Sequence, residues 1–231
     1  MKKIKLIFVV CVAMTNLLMA QTHKKFVDKQ FFNGENLTDW SGDDGYWTLK
    51  RKTIVGFSSR EIPSNEFIWS NVEVKDFYLM LEVKLDPENR NAGIQFRSKQ
   101  IGEHGEAYGY QADIGKGLWG KIYHENGRKK LAWGDKCQKV VKRDKWNRYE
   151  ILAVGDRIWT AVNGELCSAI KDPNGERSGY IALQIHSGPP VKVSYRKLKL
   201  IHNPEIVLAG LNEKQLNSNL ILIDGVQIKK Q

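Results

Sequence analysis

The chain has 231 residues, a formal net charge of +10, 42% hydrophobic residues and seven Trp. That content supports a sizeable core and argues against a disordered chain or a small scaffold needing staples. With no low-complexity linker to divide it, one large β-domain is expected, and the longest apolar run, Leu6 to Leu18, is too short to cross a bilayer.

In chain order, Met1-Lys2-Lys3-Ile4-Lys5, the apolar run and Met19-Ala20-Gln21 have the pattern of a basic region, a short apolar region and a small residue before a cut. Residues 1–20 are therefore expected to be a cleaved signal peptide, with the mature chain secreted or periplasmic and starting near Gln21. Losing Lys2, Lys3 and Lys5 takes the charge from +10 to +7. Cys11 follows Val9-Val10 and lacks the small residue expected before a lipid-modified cysteine. Export leaves Cys137 and Cys167 where a disulfide is chemically permitted, although spacing alone does not show that the side chains meet.

Phe31-Phe32-Asn33-Gly34 reads as an opening strand and Leu37 to Trp40 as a turn, followed by short strands at Trp47–Leu49 and Thr53–Phe57. Phe77 to Leu85 alternates apolar and polar residues with period two, the clearest strand signal in the chain, and Asp86-Pro87-Glu88-Asn89 ends it. Nine Lys and Arg between Arg128 and Arg148 face only Asp135 and Asp144. A solvated basic loop explains them, or association with an anionic envelope surface, and no fold signature points to nucleic acid. Strands at Trp146–Val154, Arg157–Val162, Glu165–Ala169, Gly179–Ser187 and Val191–Leu200 follow, with Gly155-Asp156 and Asn163-Gly164 as hairpin turns. Asn212 before Glu213-Lys214-Gln215-Leu216 caps a short C-terminal helix. Many short strands with regular turns predict an all-β sandwich of two antiparallel sheets over residues 28–203, with a tail at 204–231 carrying that helix.

Four glycine-marked segments carry the candidate chemistry. Ala92, Ile94 and Phe96 alternate with Gln95 and Arg97, and the same phase sets out Gln111 with Asp113, Lys121 with Tyr123 and Glu125, and Gln184 with His186. As neighbouring strands these would merge into one floor of amides, acids, bases and an imidazole, whereas a plain solvated face is usually filled by Thr, Lys, Glu and Ser. The expected cleft suits a small polyol, with Trp119 and Tyr123 stacking on an apolar ring face.

Phe32-Asn33-Gly34 with Leu37 and Trp40, Asn91 to Arg97, Gly109-Tyr110-Gln111, Lys145-Trp146-Asn147, Val162-Asn163-Gly164 and Gly179 to Arg196 together resemble the 3-keto-disaccharide hydrolase domain family, formerly a domain of unknown function. The resemblance implies a concanavalin-like, laminin-G-like jelly roll and cleavage of sugars already oxidised to a ketone at C3. Many relatives carry Glu where this chain has Gln111, and the nearest acid here is Asp113.

A C3 ketone acidifies the C2 hydrogen, so one base suffices: the C1 substituent leaves by elimination and water adds back. His186, Asp113 and Glu125 are the candidate catalytic residues. Gln95, Arg97, Gln111, Trp119, Lys121, Tyr123 and Gln184 are the candidate substrate contacts. The sequence specifies no cofactor, and Asp113, Glu125 and His186 are the candidate ligands of a divalent cation that would polarise the ketone. Two rival readings share the fold: a lectin-like module without chemistry, and a conventional glycosidase using Asp113 and Glu125 as its carboxyl pair.

Overall fold

The structure is a computed structural model that describes residues 28–102 and 106–223, so the expected signal segment lies outside the described residues. The described strands, in chain order, are β1 (Trp40–Ser41), β2 (Trp47–Lys50), β3 (Thr53–Ser58), β4 (Glu66–Val74), β5 (Phe77–Asp86), β6 (Asn91–Ile101), β7 (Glu106–Gly115), β8 (Ile122–Glu125), β9 (Lys129–Ala132), β10 (Asn147–Val154), β11 (Arg157–Val162), β12 (Glu165–Lys171), β13 (Gly179–Ile185), β14 (Val191–His202) and β15 (Ile221–Leu222). They form a sandwich of a seven-stranded sheet, ordered β1-β4-β13-β6-β7-β8-β9, and an eight-stranded sheet, ordered β15-β12-β11-β10-β5-β14-β3-β2. All pairings are antiparallel except the short edge pairing of β15 with β12.

Period-two alternation places the core between the sheets. Phe77, Leu79, Leu81, Val83 and Leu85 of β5 meet Ala92, Ile94 and Phe96 of β6, Tyr110, Ala112 and Ile114 of β7, and Ile181, Leu183 and Ile185 of β13 in one buried cluster. The Asn163-Gly164 hairpin forms as expected: both residues have positive φ, 51° and 85°, as a two-residue turn between right-twisted strands requires. Asn163 also fixes the turn through its side chain, donating to Val140 O at 2.8 Å and accepting from Arg148 N at 3.0 Å.

Several segments depart from the sequence reading, among them Lys129–Ala132, read as part of a basic loop, which forms the edge strand β9. Phe31 to Gly34 is a turn rather than a strand, because Asn33 Oδ1 captures the backbone N–H groups of Glu35 and Asn36 at 2.8 and 3.1 Å. β4 was not expected: its two faces are both covered, Ile68 and Val74 by the core and Phe67 and Trp69 on the other side, so it shows no apolar/polar alternation.

The C-terminal helix α1 (Glu213–Asn217) carries a full capping box between Asn212 and Gln215. It lays Leu216 on Leu152, Trp159 and Leu166 on the outside of the eight-stranded sheet. Cys137 and Cys167 form a disulfide, Cα–Cα 5.2 Å, which ties the segment after β9 to β12. Much of the basic segment is paired: Arg128 with Asp172, Lys136 with Glu165, Arg143 with Glu88 and Arg148 with Glu150. Among the described residues no helix is long and apolar enough to cross a membrane.

Candidate active site

The outer face of the seven-stranded sheet, away from the core, is where the polar phases of the strands meet. Gly93 pairs across the ladder with both Gln184 and Asp113, Gln95 with Ala182 and Gln111, and Gln111 with Tyr123. Residues directly opposite on antiparallel strands share a face, so Gln184, Gln95, Gln111, Asp113, Tyr123 and Glu125 occupy one floor. Phe67 and Trp69 border it from β4, paired with Gln184 and Ala182. Ala107 packs with Phe67, Trp69 and Ala182 although, four residues from Gln111, it would lie about 14 Å further along a flat ladder than Ala182, so the end of the β6–β7 hairpin bends back over this face. That bend follows a register shift between Phe96 and Lys99.

The floor is unusually buried for an outer face. Gln95 and Gln184 are fully enclosed, and Asp113 is 4% exposed. Gln95 Nε2 donates to Gln111 Oε1 at 2.6 Å, and Gln111 Nε2 to Asp113 Oδ1 at 2.6 Å. Burial dominates the electrostatics of Asp113 and pushes its carboxyl up to about 7; Glu125 pushes the same way, while the Gln111 donor and Lys121 oppose. The Glu125 carboxyl is raised by burial and held back by His186, Lys129 and His124. These couplings link Asp113 to Glu125 and Lys121, and Glu125 in turn to His186. Lys121 is pinned by an ion pair to Asp135 at 2.7 Å and lies 5.2 Å from the Trp133 ring centre. His186 Nδ1 lies 2.8 Å from Ser187 O, a carbonyl that only accepts, so Nδ1 carries a proton and Nε2 is the ring nitrogen that faces other partners. Tyr123, Glu125, Trp133 and His186 are half-buried and form the accessible rim of the floor.

Both amide atoms of Gln184 and the Trp69 indole N–H are buried without a hydrogen-bond partner. Such groups cost free energy unless something else satisfies them, and Trp47, Asn91 and Trp119 carry others of the same kind elsewhere in the molecule.

Two residues expected on the floor are elsewhere. Arg97 sits at the register shift with φ 46°, which turns its side chain off the strand's phase. It is enclosed as a brace, donating to Lys75 O and Gly155 O at 2.8 Å and pairing with Asp76 at 3.2 Å. Trp119 does not stack on a ligand: it is 2% exposed in the core, tilted against Tyr149 with ring centres 6.3 Å apart. Gln95 and Gln111 are on the floor, but their amides are spent on each other and on Asp113. Phe67, Trp69 and Trp133 were missed by the sequence reading; the Phe67-Ile68-Trp69 spacing was the available signal. Among the described residues no group of three or more His, Cys, Asp and Glu side chains stands together as an ion site, so Asp113, Glu125 and His186 are not assembled as metal ligands.

A jelly-roll sandwich with a buried, titratable polar floor defines the fold and its candidate site, and sequence comparison gives the family. Residues 28–201 match the 3-keto-alpha-glucoside-1,2-lyase-like domain, and the chain belongs to that carbohydrate-active family. Among solved structures it is similar to two candidate glycosyl hydrolases from Parabacteroides distasonis ATCC 8503. One is 20% identical, with 72% of this chain and 94% of that one covered and a TM-score of 0.56. The other is 16% identical, with 75% and 93% covered and a TM-score of 0.57. A β-glucanase from Bacillus licheniformis, 14% identical with 80% and 100% covered and a TM-score of 0.50, shares the fold. No curated protein matches the sequence.

Proposed function

We propose that the protein is an exported enzyme that cleaves 3-keto-glycosides by removing the C2 proton and expelling the C1 substituent. The observation that carries this reading is Asp113: a buried carboxyl pushed up to about 7, aimed at a floor of amides and flanked by Lys121 and Glu125. Asp113 takes the C2 proton, and the electron pair of the C–H bond forms the enolate at the C3 oxygen. Lys121 and Gln184 supply donors to that oxygen and to the ring hydroxyls. Collapse of the enolate breaks the C1–O bond, and Glu125, whose raised carboxyl holds a proton more readily, protonates the leaving oxygen. Water activated through His186 Nε2 then adds at C1, and Asp113, its proton exchanged with solvent, protonates C2. Tyr123 and the Phe67–Trp69 pair provide apolar faces against which a pyranose packs. The family to which residues 28–201 belong is described as 3-keto-alpha-glucoside-1,2-lyase-like, which supports this reading. The signal-like pattern of residues 1–20 supports export to the periplasm or the medium.

The decisive experiment incubates purified protein with 3-keto-glucosides and with their unoxidised parents in heavy water. Turnover of the oxidised substrate alone, with deuterium at C2 of the released sugar, is expected. Equal turnover of both without label at C2 would replace the proposal with a conventional glycosidase using Asp113 and Glu125, and binding without turnover would replace it with a lectin.

A further inference from the structure

The amide chain on the floor has a direction. Asp113 Oδ1 accepts from Gln111 Nε2, Gln111 Oε1 accepts from Gln95 Nε2, and Gln95 Oε1 stands 3.0 Å from the Ser98 hydroxyl. An ionised carboxylate only accepts, so it forces Gln111 to present its NH2. That turns the Gln111 carbonyl toward Gln95, and the Gln95 carbonyl toward a hydroxyl donor. A protonated Asp113 opens the opposite sense when Oδ1 carries the proton, because the neutral carboxyl gains a donor that the carboxylate lacks. Its O–H then donates to Gln111 Oε1, Gln111 Nε2 to Gln95 Oε1, and Gln95 Nε2 to Ser98 Oγ.

Ser98 is the residue type that serves both senses, because a hydroxyl both donates and accepts. In the reversed sense its own proton has Phe96 O at 3.0 Å or Tyr110 O at 3.1 Å as acceptor. Gln95, Ser98, Gln111 and Asp113 are all buried, so neither amide has bulk water as an alternative partner. Gly93 makes the slot: a Cβ there would lie 2.7 Å from Gln111 Cδ, so any side chain would push the middle of the relay aside.

We propose that Gln111, Gln95 and Ser98 are positioning residues for Asp113, a hydrogen-bond relay whose two senses match the two protonation states of that carboxyl. Half-turns of the two amides hold Asp113 in one place while it gains a proton and gives it back; no covalent bond within the relay breaks. The inference rests on the reading of Asp113 as the base, but its test needs no turnover. The other charged or titratable groups that face Asp113 are Lys121 and Glu125 on and beside β8 and Tyr149 on β10, with His186 acting through Glu125. All of them stay in place in the variants below.

The Asp113 carboxyl carbon is followed by NMR through a pH titration of the full chain, in the wild type and in Gln111→Met, Ser98→Ala and Ser98→Thr, each checked for folding by thermal unfolding. The midpoint is expected to rise by about one pH unit in Gln111→Met, which loses a donor to the charged form, and by a few tenths in Ser98→Ala. Ser98→Thr, which keeps the hydroxyl, should titrate like the wild type. The side-chain NH2 signals of Gln95 and Gln111 should move over the same pH range in the wild type and stay still in Asp113→Asn. Midpoints that do not move in folded Gln111→Met and Ser98→Ala, or amide signals indifferent to Asp113, overturn the relay. If Gln111→Met does not fold, Ser98→Ala, which deletes a single oxygen, decides the question alone. A midpoint that moves while the pH profile of kcat on a 3-keto-glucoside does not would leave the relay standing and remove Asp113 as the base.

Discussion

Two buried aspartates sit on opposite sides of the same sheet, and their surroundings differ in kind. Asp172, fully enclosed, is gripped by Arg128 through two contacts of 2.7 and 2.6 Å and by the Tyr110 hydroxyl, with Glu176 and His124 extending the network. A forked guanidinium on a carboxylate is among the strongest charge pairings available, and here it closes one end of the sandwich. Asp113 has no such partner. It is given one neutral amide, a lysine already paired with Asp135 and a neighbouring carboxyl of like charge. The first acid is compensated and structural. The second is left with its desolvation largely unpaid for, and that is the condition under which a carboxyl titrates near neutrality and exchanges protons.

Arg128→Met gives the hardest test of the comparison. It should destabilise the fold by about 3–5 kcal/mol in chemical denaturation, because it strands the Asp172 charge in the interior. A loss below about 1 kcal/mol would mean that the network is ornamental, and the contrast would collapse.

Asp113→Asn should do the reverse. Turnover is expected to fall by about 10²-fold or more while the fold survives. Its stability should also separate from the wild type with pH. The carboxyl is raised from an ordinary 3.8 to about 7, so between those values the unfolded chain releases a proton that the folded chain keeps. Wild-type stability therefore declines as pH rises through that window. The variant lacks the decline: the two curves should coincide below pH 4 and differ by on the order of 2–4 kcal/mol above pH 7, in favour of the variant. Parallel curves across that range would place Asp113 with Asp172 as a compensated acid.

Gln184→Leu sharpens the comparison on a smaller scale. Removing a buried amide that has no partner should stabilise the free protein by about 1 kcal/mol, yet lower kcat/KM on a 3-keto-glucoside by about tenfold if that amide serves the sugar. Gain of stability without loss of activity would assign Gln184 to packing alone.

Period-two alternation and turn residues act within a few positions of the chain, and so the sandwich, the Asn163-Gly164 hairpin, the core phase of Phe77 to Leu85 and the capped helix at Asn212 were all legible in the sequence. The same alternation placed Gln95, Gln111, Asp113, Tyr123, Glu125 and Gln184 on one phase of their strands, and cross-strand register brings those strands side by side. It could not show the register shift after Phe96, because a bulge is settled by how two strands pair; that shift turned Arg97 from a floor residue into a brace. Nor could it show β4, whose two buried faces erase the alternation, or that Gln95 and Gln111 spend their amides on each other, which depends on strands being joined edge to edge. Local residue order determined the strands and the polar phase of each. Which of those polar groups are satisfied, braced or left without a partner was decided only when distant strands packed, because hydrogen bonding and desolvation depend on neighbours in space.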